Sequence, residues 1–206
     1  MLEQLVLFGG GGHAAVCSEV FVDGGRSIVG YVAPVATTLS YKYLGDDETY
    51  LSSSQSDVEA FVAVGSNQLR MRITEAAQIY GQRLAGAVHS SAIVSSSASI
   101  GVGSIVMPGA IINARAKIGA GVIVNSGAVV EHDVIVEDFV HVGPGSRVAG
   151  GAMLRRGVLL GVGASVIPNV TIGEWSVVGA GAAVVRDVKQ ASVAVGVPAR
   201  LVKAAR

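Results

Sequence analysis

Among the four histidines of the 206-residue chain, His132 has the setting best suited to moving a proton. It stands between two acids in the run Val129, Val130, Glu131, His132, Asp133. A carboxylate beside an imidazole takes one ring proton, orients the ring and leaves the other nitrogen to act as a base. Either Glu131 or Asp133 could be that partner, and spacing alone leaves the choice open. The plain alternative is a solvated surface histidine among acids. Against it stand the residues eighteen positions away on either side, Ala114 and Gly150, whose small size leaves space beside the ring for a reactant. Neither Ser126 nor Cys17 has triad partners in view, so covalent catalysis by a side-chain nucleophile is not expected. The histidines show no metal-ligand spacing and Cys17 has no second thiolate, so no protein-built metal site is expected.

A second group of residues suits phosphate. Gly9, Gly11 and Ala14 follow the G-x-G-x-x-G/A spacing between an apolar run at 5–8 and a helical stretch at 14–22. Backbone amides at such a strand-to-helix turn favour phosphate oxygens. A tight turn with no ligand is the competing reading. A dinucleotide site would add an acid after the second strand, where this chain has Ala33 and Pro34, so NAD is not expected. His13 closes the loop and either donates to a ligand phosphate or caps the helix, while His89 reads as structural.

The element that must carry His132 is a repeat. Stepping by six from Val88 to Val184 meets seventeen branched aliphatic residues, and the position four after each is always Ala, Ser or Val. That period fits neither a 3.6-residue helix nor a long alternating strand. It fits short strands joined by corners and stacked coil on coil, a parallel β-helix of somewhat under six coils. Position-six residues such as Ile105, Ile111, Ile123, Val129, Ile135 and Leu159 would face outward as an apolar stripe that an assembly covers. Residues 1–84 alternate apolar runs (5–8, 28–32, 60–64) with helical patterns (14–22, 67–81) and read as a small α/β, Rossmann-like domain with a parallel sheet. The stretch 35–57 reads as loop with one short edge element. The expected division is thus 1–84, a β-helix over 85–190, and a tail over 191–206.

Composition narrows the partners. Half the residues are hydrophobic and 5% aromatic, and 15 basic residues balance 15 acidic ones. Such a chain folds, and it lacks the basic field that holds a nucleic acid. No charged leader with a cleavable apolar stretch is visible at the N-terminus, glycine and Pro168 interrupt the uncharged run 157–173, and the single Cys17 forms no internal disulfide. A cytoplasmic protein without a spanning helix is expected.

The hexads resemble those of hexapeptide-repeat acyltransferases, and that resemblance supplies a left-handed winding with three hexads per coil. The segments 125–133, 141–145 (HisValGlyProGly) and 149–151 (AlaGlyGly), with 7–13, 63–70 and 196–200, resemble bacterial sugar acetyltransferases. The relatives in view are of the sialic-acid O-acetyltransferase and bacillosamine N-acetyltransferase type. The resemblance implies a homotrimer with acetyl-CoA between neighbouring helices and a nucleotide-linked amino-sugar, of UDP-4-amino-sugar type, on the N-terminal domain. It makes His132 the general base and Asp133 its tuning acid, and places His141, Gly150, Val162 and Ala180 at acetyl-CoA. It places Gly11, Gly12, His13 and Gly65 at the nucleotide-sugar. The reaction implied is N-acetylation by direct transfer, with O-acetylation of sialic acid or a related sugar as the rival. A binding scaffold without catalysis would show the same hexads but would not need His132 between acids. Ala33 and Pro34 replace an acidic pair frequent in that family.

Overall fold

The computed structural model describes residues 3–53 and 58–204. The chain divides into two compact units, Met1–Ser90 and Ser91–Arg206, so that the first hexad strand, Ala87–Val88, falls in the first unit.

In the first unit, β1 (Gln4–Phe8), β2 (Ser27–Val32) and β3 (Glu59–Val62) form a parallel sheet in the order β2-β1-β3. Their side chains are almost continuously apolar, as a sheet covered on both faces requires. Helix α1 (Gly12–Asp23) follows β1, and α3 (Asn67–Ile79) follows β3 and buries Arg70, Ile73 and Ala77 at three- and four-residue spacing. Phe8, Val32 and Val62 lie in register, so the loops that leave these three strands open at one edge of the sheet. The stretch 35–57 is not all loop. It carries a β-bridge from Tyr43 to Tyr31, the expected edge element, and a short helix α2 (Asp47–Ser52). That helix starts because the Asp46 carboxylate accepts from the Thr49 N–H at 2.8 Å, a local cap that no apolar periodicity announces. Residues 54–57 of the stretch lie outside the described residues.

In the second unit, two-residue strands recur every six residues, and each pairs in parallel with the strands eighteen residues before and after. Ile123, for example, pairs with Ile105 and with His141. The solenoid is a left-handed parallel β-helix. Its interior is built from the two apolar hexad positions, among them Val106, Ile112, Val124, Leu154 and Leu160 with Ala110, Ala128 and Ala164. Where the small position is serine, a buried hydroxyl would lack a partner without a local acceptor. Ser104 and Ser146 each donate to a carbonyl fifteen residues on, at 2.8 Å, which resolves the problem. The expected tail holds a hairpin in which Ser192–Val195 pairs antiparallel with Arg200–Ala204; residues 205–206 lie outside the described residues.

The outward stripe is not as expected. Ile105 and Ile123 are fully buried within one chain, and Ile111, Val129, Ile135 and Leu159 are half-buried. Alternation fixes which way a side chain points, not whether another part of the chain covers it. Exposed apolar side chains of the solenoid include Ile93, at position six of the first coil, and, off that stripe, Val102, Val162, Ile167 and, one coil on, Val185.

Candidate active site

His132 sits on a corner between two hexad strands, with Asp133 next to it at φ +60°. Its Nδ1 is 2.8 Å from Asp133 Oδ2. An ionised carboxylate only accepts, so Nδ1 carries the proton and Nε2 of the neutral ring presents a lone pair. Asp133 is itself held from the coil below. Arg115 Nε and Nη2 donate to its two oxygens at 2.7 and 2.8 Å, a two-point grip. These bonds, first from Arg115 and then from His132, hold the Asp133 carboxyl well below the usual carboxylate range.

Glu131, expected beside the ring, is engaged elsewhere: it accepts from Asn113 Nδ2 at 2.9 Å, one coil below. Asp133 therefore takes the ring proton because it shares the corner with His132, whereas Glu131 precedes the corner and joins its column. Arg115 escaped the sequence reading although an eighteen-residue step from Asp133 lands on it, and opposite charges at that step signal a stacked pair.

Gly150 lies directly against His132 rather than leaving a gap. A Cβ built on it would come 2.6 Å from His132 Cε1 and 2.7 Å from Nε2. Small size here makes room for the imidazole itself. The Gly151 N–H is spent on the His132 carbonyl at 3.0 Å, whereas among the described residues none accepts from the Gly150 N–H.

His141 has a different environment. Asn125 Oδ1 accepts from the Ser126 N–H at 2.8 Å, which turns its amide NH2 toward His141 Nε2 at 2.9 Å. Nε2 of His141 is thus already receiving a hydrogen bond. Val162 is 60% exposed and Ala180 is exposed one coil on; with Ser126 and Pro144 they form one column of small side chains.

In the first unit a cavity of about 410 Å³ opens at the sheet edge, lined by Gly9–His13, Val32–Pro34, Asp47, Ala63–Gly65, Leu69 and Ile73. The glycines differ in kind. Gly9 is at φ +131°, and a Cβ there would lie 2.5 Å from the Ala63 carbonyl oxygen, so the fold itself requires it. Around Gly11, Gly12 and Gly65 nothing lies within 4 Å of such a Cβ, so these three leave open backbone facing the cavity.

Below the loop, His13 Nε2 lies 3.4 Å from Cys17 Sγ. Burial, aided by the Arg70 charge, lowers the His13 pKa to about 4, so the ring is neutral near pH 7. Burial pushes the Cys17 thiol up to about 12. Arg70, 1% exposed, donates to the Val64 and Gly65 carbonyls at 3.0 and 3.3 Å and to Asn67 Oδ1 at 2.8 Å. Burial lowers its pKa to about 10, which still leaves it charged at neutrality. It thereby holds the loop that walls one side of the cavity, a role invisible in sequence because nothing in spacing marks an arginine as buried. Among the described residues, no group of three or more metal-ligating side chains occurs, and no helix is long and apolar enough to cross a membrane.

A small parallel sheet with an open glycine edge, joined to a hexad solenoid with a clamped histidine, defines a recognisable class. Residues 4–77 match the PglD N-terminal domain family, and residues 115–150 match the bacterial transferase hexapeptide repeat. Perosamine N-acetyltransferase from Caulobacter crescentus, solved with CoA and GDP-perosamine, is 40% identical over 98% of both chains with a TM-score of 0.94. That enzyme has been solved as H141N and H141A variants, numbered along its own chain. The acetyltransferase domain of PglB from Neisseria gonorrhoeae, with acetyl coenzyme A, is 33% identical over 98% of this chain and 100% of that one (TM-score 0.93). WeeI from Acinetobacter baumannii shares the fold at 20% identity, 97% and 100% coverage and a TM-score of 0.88. The chain belongs to the hexapeptide-repeat sugar acetyltransferases.

Proposed function

We propose that the protein transfers the acetyl group of acetyl-CoA to the amine of a nucleotide-linked amino-sugar, with His132 as the base. The observation that carries this reading is the relay Arg115–Asp133–His132, which fixes the imidazole with Nε2 as its free acceptor. The 40% identical enzyme solved with CoA and GDP-perosamine supports the donor and the acceptor class. The column of Ser126, Pro144, Val162 and Ala180 suits the thin, largely apolar arm of CoA, and the thioester supplies an activated acetyl carbon.

The amine nitrogen attacks that carbon and its proton passes to His132 Nε2. The Gly150 N–H faces the oxygen on which charge develops, and the thiolate leaves, taking the proton from the imidazolium. Nothing is consumed beyond the two substrates. Orientation does much of the work, since the two reactants are held as one complex.

His132 is preferred to His141 because the Nε2 of His141 already receives a hydrogen bond from Asn125, while that of His132 has no partner among the described residues. Val162, Ile167 and Val185 leave apolar surface on a single chain, which supports a cyclic homotrimer with acetyl-CoA between copies.

The test measures acetylation of a GDP- or UDP-linked amino-sugar by His132→Ala and His141→Ala. His132→Ala is expected to lower kcat at least ~10²-fold with an unchanged oligomer, and His141→Ala to act mainly through the KM for acetyl-CoA. The reverse pattern makes His141 the base. Acetylation of free sialic acid in preference to any amino-sugar would replace N- with O-transfer.

A further inference from the structure

The cavity of the first unit contains a carboxylate that the reaction does not use. Asp47, the first residue of α2, lines it together with the open glycines and with Pro34, Leu69 and Ile73. Its neighbour Asp46 is engaged as the helix cap, bonded to Thr49 at 2.8 and 3.1 Å. Among the described residues, nothing donates to the Asp47 carboxylate and no cation pairs with it, although it is half-buried. Burial, and secondarily the Asp46 charge, raise its pKa. Taking an anion partly out of water without a donor is unfavourable, so the carboxylate is placed to accept from donors on a bound ligand. The acid that would ordinarily follow the second strand is absent, since Ala33 and Pro34 stand there.

We infer that Asp47 reads the base of the nucleotide-sugar, and that the base is guanine. This rests on the nucleotide-sugar reading above. A carboxylate has two oxygens that only accept. Of the common bases, guanine alone offers two adjacent donors, N1–H and the 2-amino group, that match them. Uracil and thymine flank their one N–H with carbonyl oxygens, which a carboxylate repels. The apolar wall at Pro34, Leu69 and Ile73 gives the flat ring a surface to lie on, and Gly11, Gly12 and Gly65 leave backbone open to the diphosphate.

The experiment titrates the full chain with GDP, UDP, dTDP and xanthosine diphosphate, and assays GDP- and UDP-linked amino-sugars as acceptors. Wild type should bind GDP roughly 10- to 100-fold more tightly than UDP or dTDP, the discrimination expected of one two-point base contact. Asp47→Asn should lose that preference while UDP binding changes less than about 2-fold. It should also gain xanthosine diphosphate, because an amide donates to the C2 carbonyl that replaces the guanine amine. That gain is a readout no merely structural role of Asp47 would give. Equal weakening of all four nucleotides by Asp47→Asn would move the carboxylate to the ribose and overturn the inference. Acetylation of UDP- but not GDP-linked sugars would overturn it too, leaving the N-acetyltransferase reading intact. Failure to acetylate any nucleotide-linked amino-sugar would instead bring down that reading.

Discussion

Arg115 makes His132 depend on a side chain it never touches. Both oxygens of Asp133 are occupied by the guanidinium, one of them shared with the imidazole, so the acid has a single orientation in which it serves the ring. Asp133→Asn should lower kcat by roughly 10²-fold, because an amide no longer enforces the Nδ1–H form. Arg115→Ala should lower it less, about 10-fold, with little change in KM for either substrate, since only orientation is lost. His13 makes a separate prediction about stability. Its folded pKa of about 4 lies below the 6.5 of the unfolded chain, so the unfolded state binds more protons between these values. Stability contributed by neutral His13 is therefore complete above pH 6.5 and is lost as pH falls toward 4, by up to ~3 kcal/mol. Urea denaturation at pH 7 and 4.5 should show His13→Gln losing less stability on acidification than wild type.

At the scale of the element, the corner sets how the His132 ring is seated. A methyl group at Gly150 meets first the far end of the His132 side chain, so the fold can yield by rotating the ring. Gly150→Ala should leave the melting temperature within a few degrees of wild type while lowering kcat by about 10²-fold; a large loss of stability with normal kcat would contradict this geometry. Such corners were half legible in sequence. The six-residue period fixed the strands, and an eighteen-residue step placed Gly150 over His132, because a solenoid converts sequence distance directly into neighbourhood. The sign of the effect was missed: a small residue reads equally as a gap or as a seat for the neighbouring side chain. In the first unit, β1 to β3, α1 and α3 follow from apolar runs and glycine, whereas α2 rests on one Asp46 cap and carries too few apolar residues to show a period. Arg70 was hidden for a related reason, since burial of a cation depends on carbonyls that only the folded loop at 64–65 brings together.

For the whole molecule, the solenoid stacks one apolar column through many coils, and its stability is shared between neighbours. Leu154→Ala, at a fully buried position, should cost ~2–5 kcal/mol in denaturant melts. Light scattering should return about three times the 20.8-kDa chain mass, with the exposed Val162, Ile167 and Val185 at or near the contact. Ile167→Glu should shift that mass toward one chain, and activity should fall with it if acetyl-CoA is held between copies. The strand pairing at eighteen-residue intervals also bears on how such a molecule can change in length. Duplicating or deleting eighteen residues beyond the coil of Gly150 would return every column to a partner of its own kind, so Arg115, Asp133 and His132 would remain in line. An insertion of any other size would shear those columns unless it left as a loop. Growth of the solenoid is in this sense quantised, and the corner of His132 can stay fixed while the tower above it is lengthened or shortened by whole storeys.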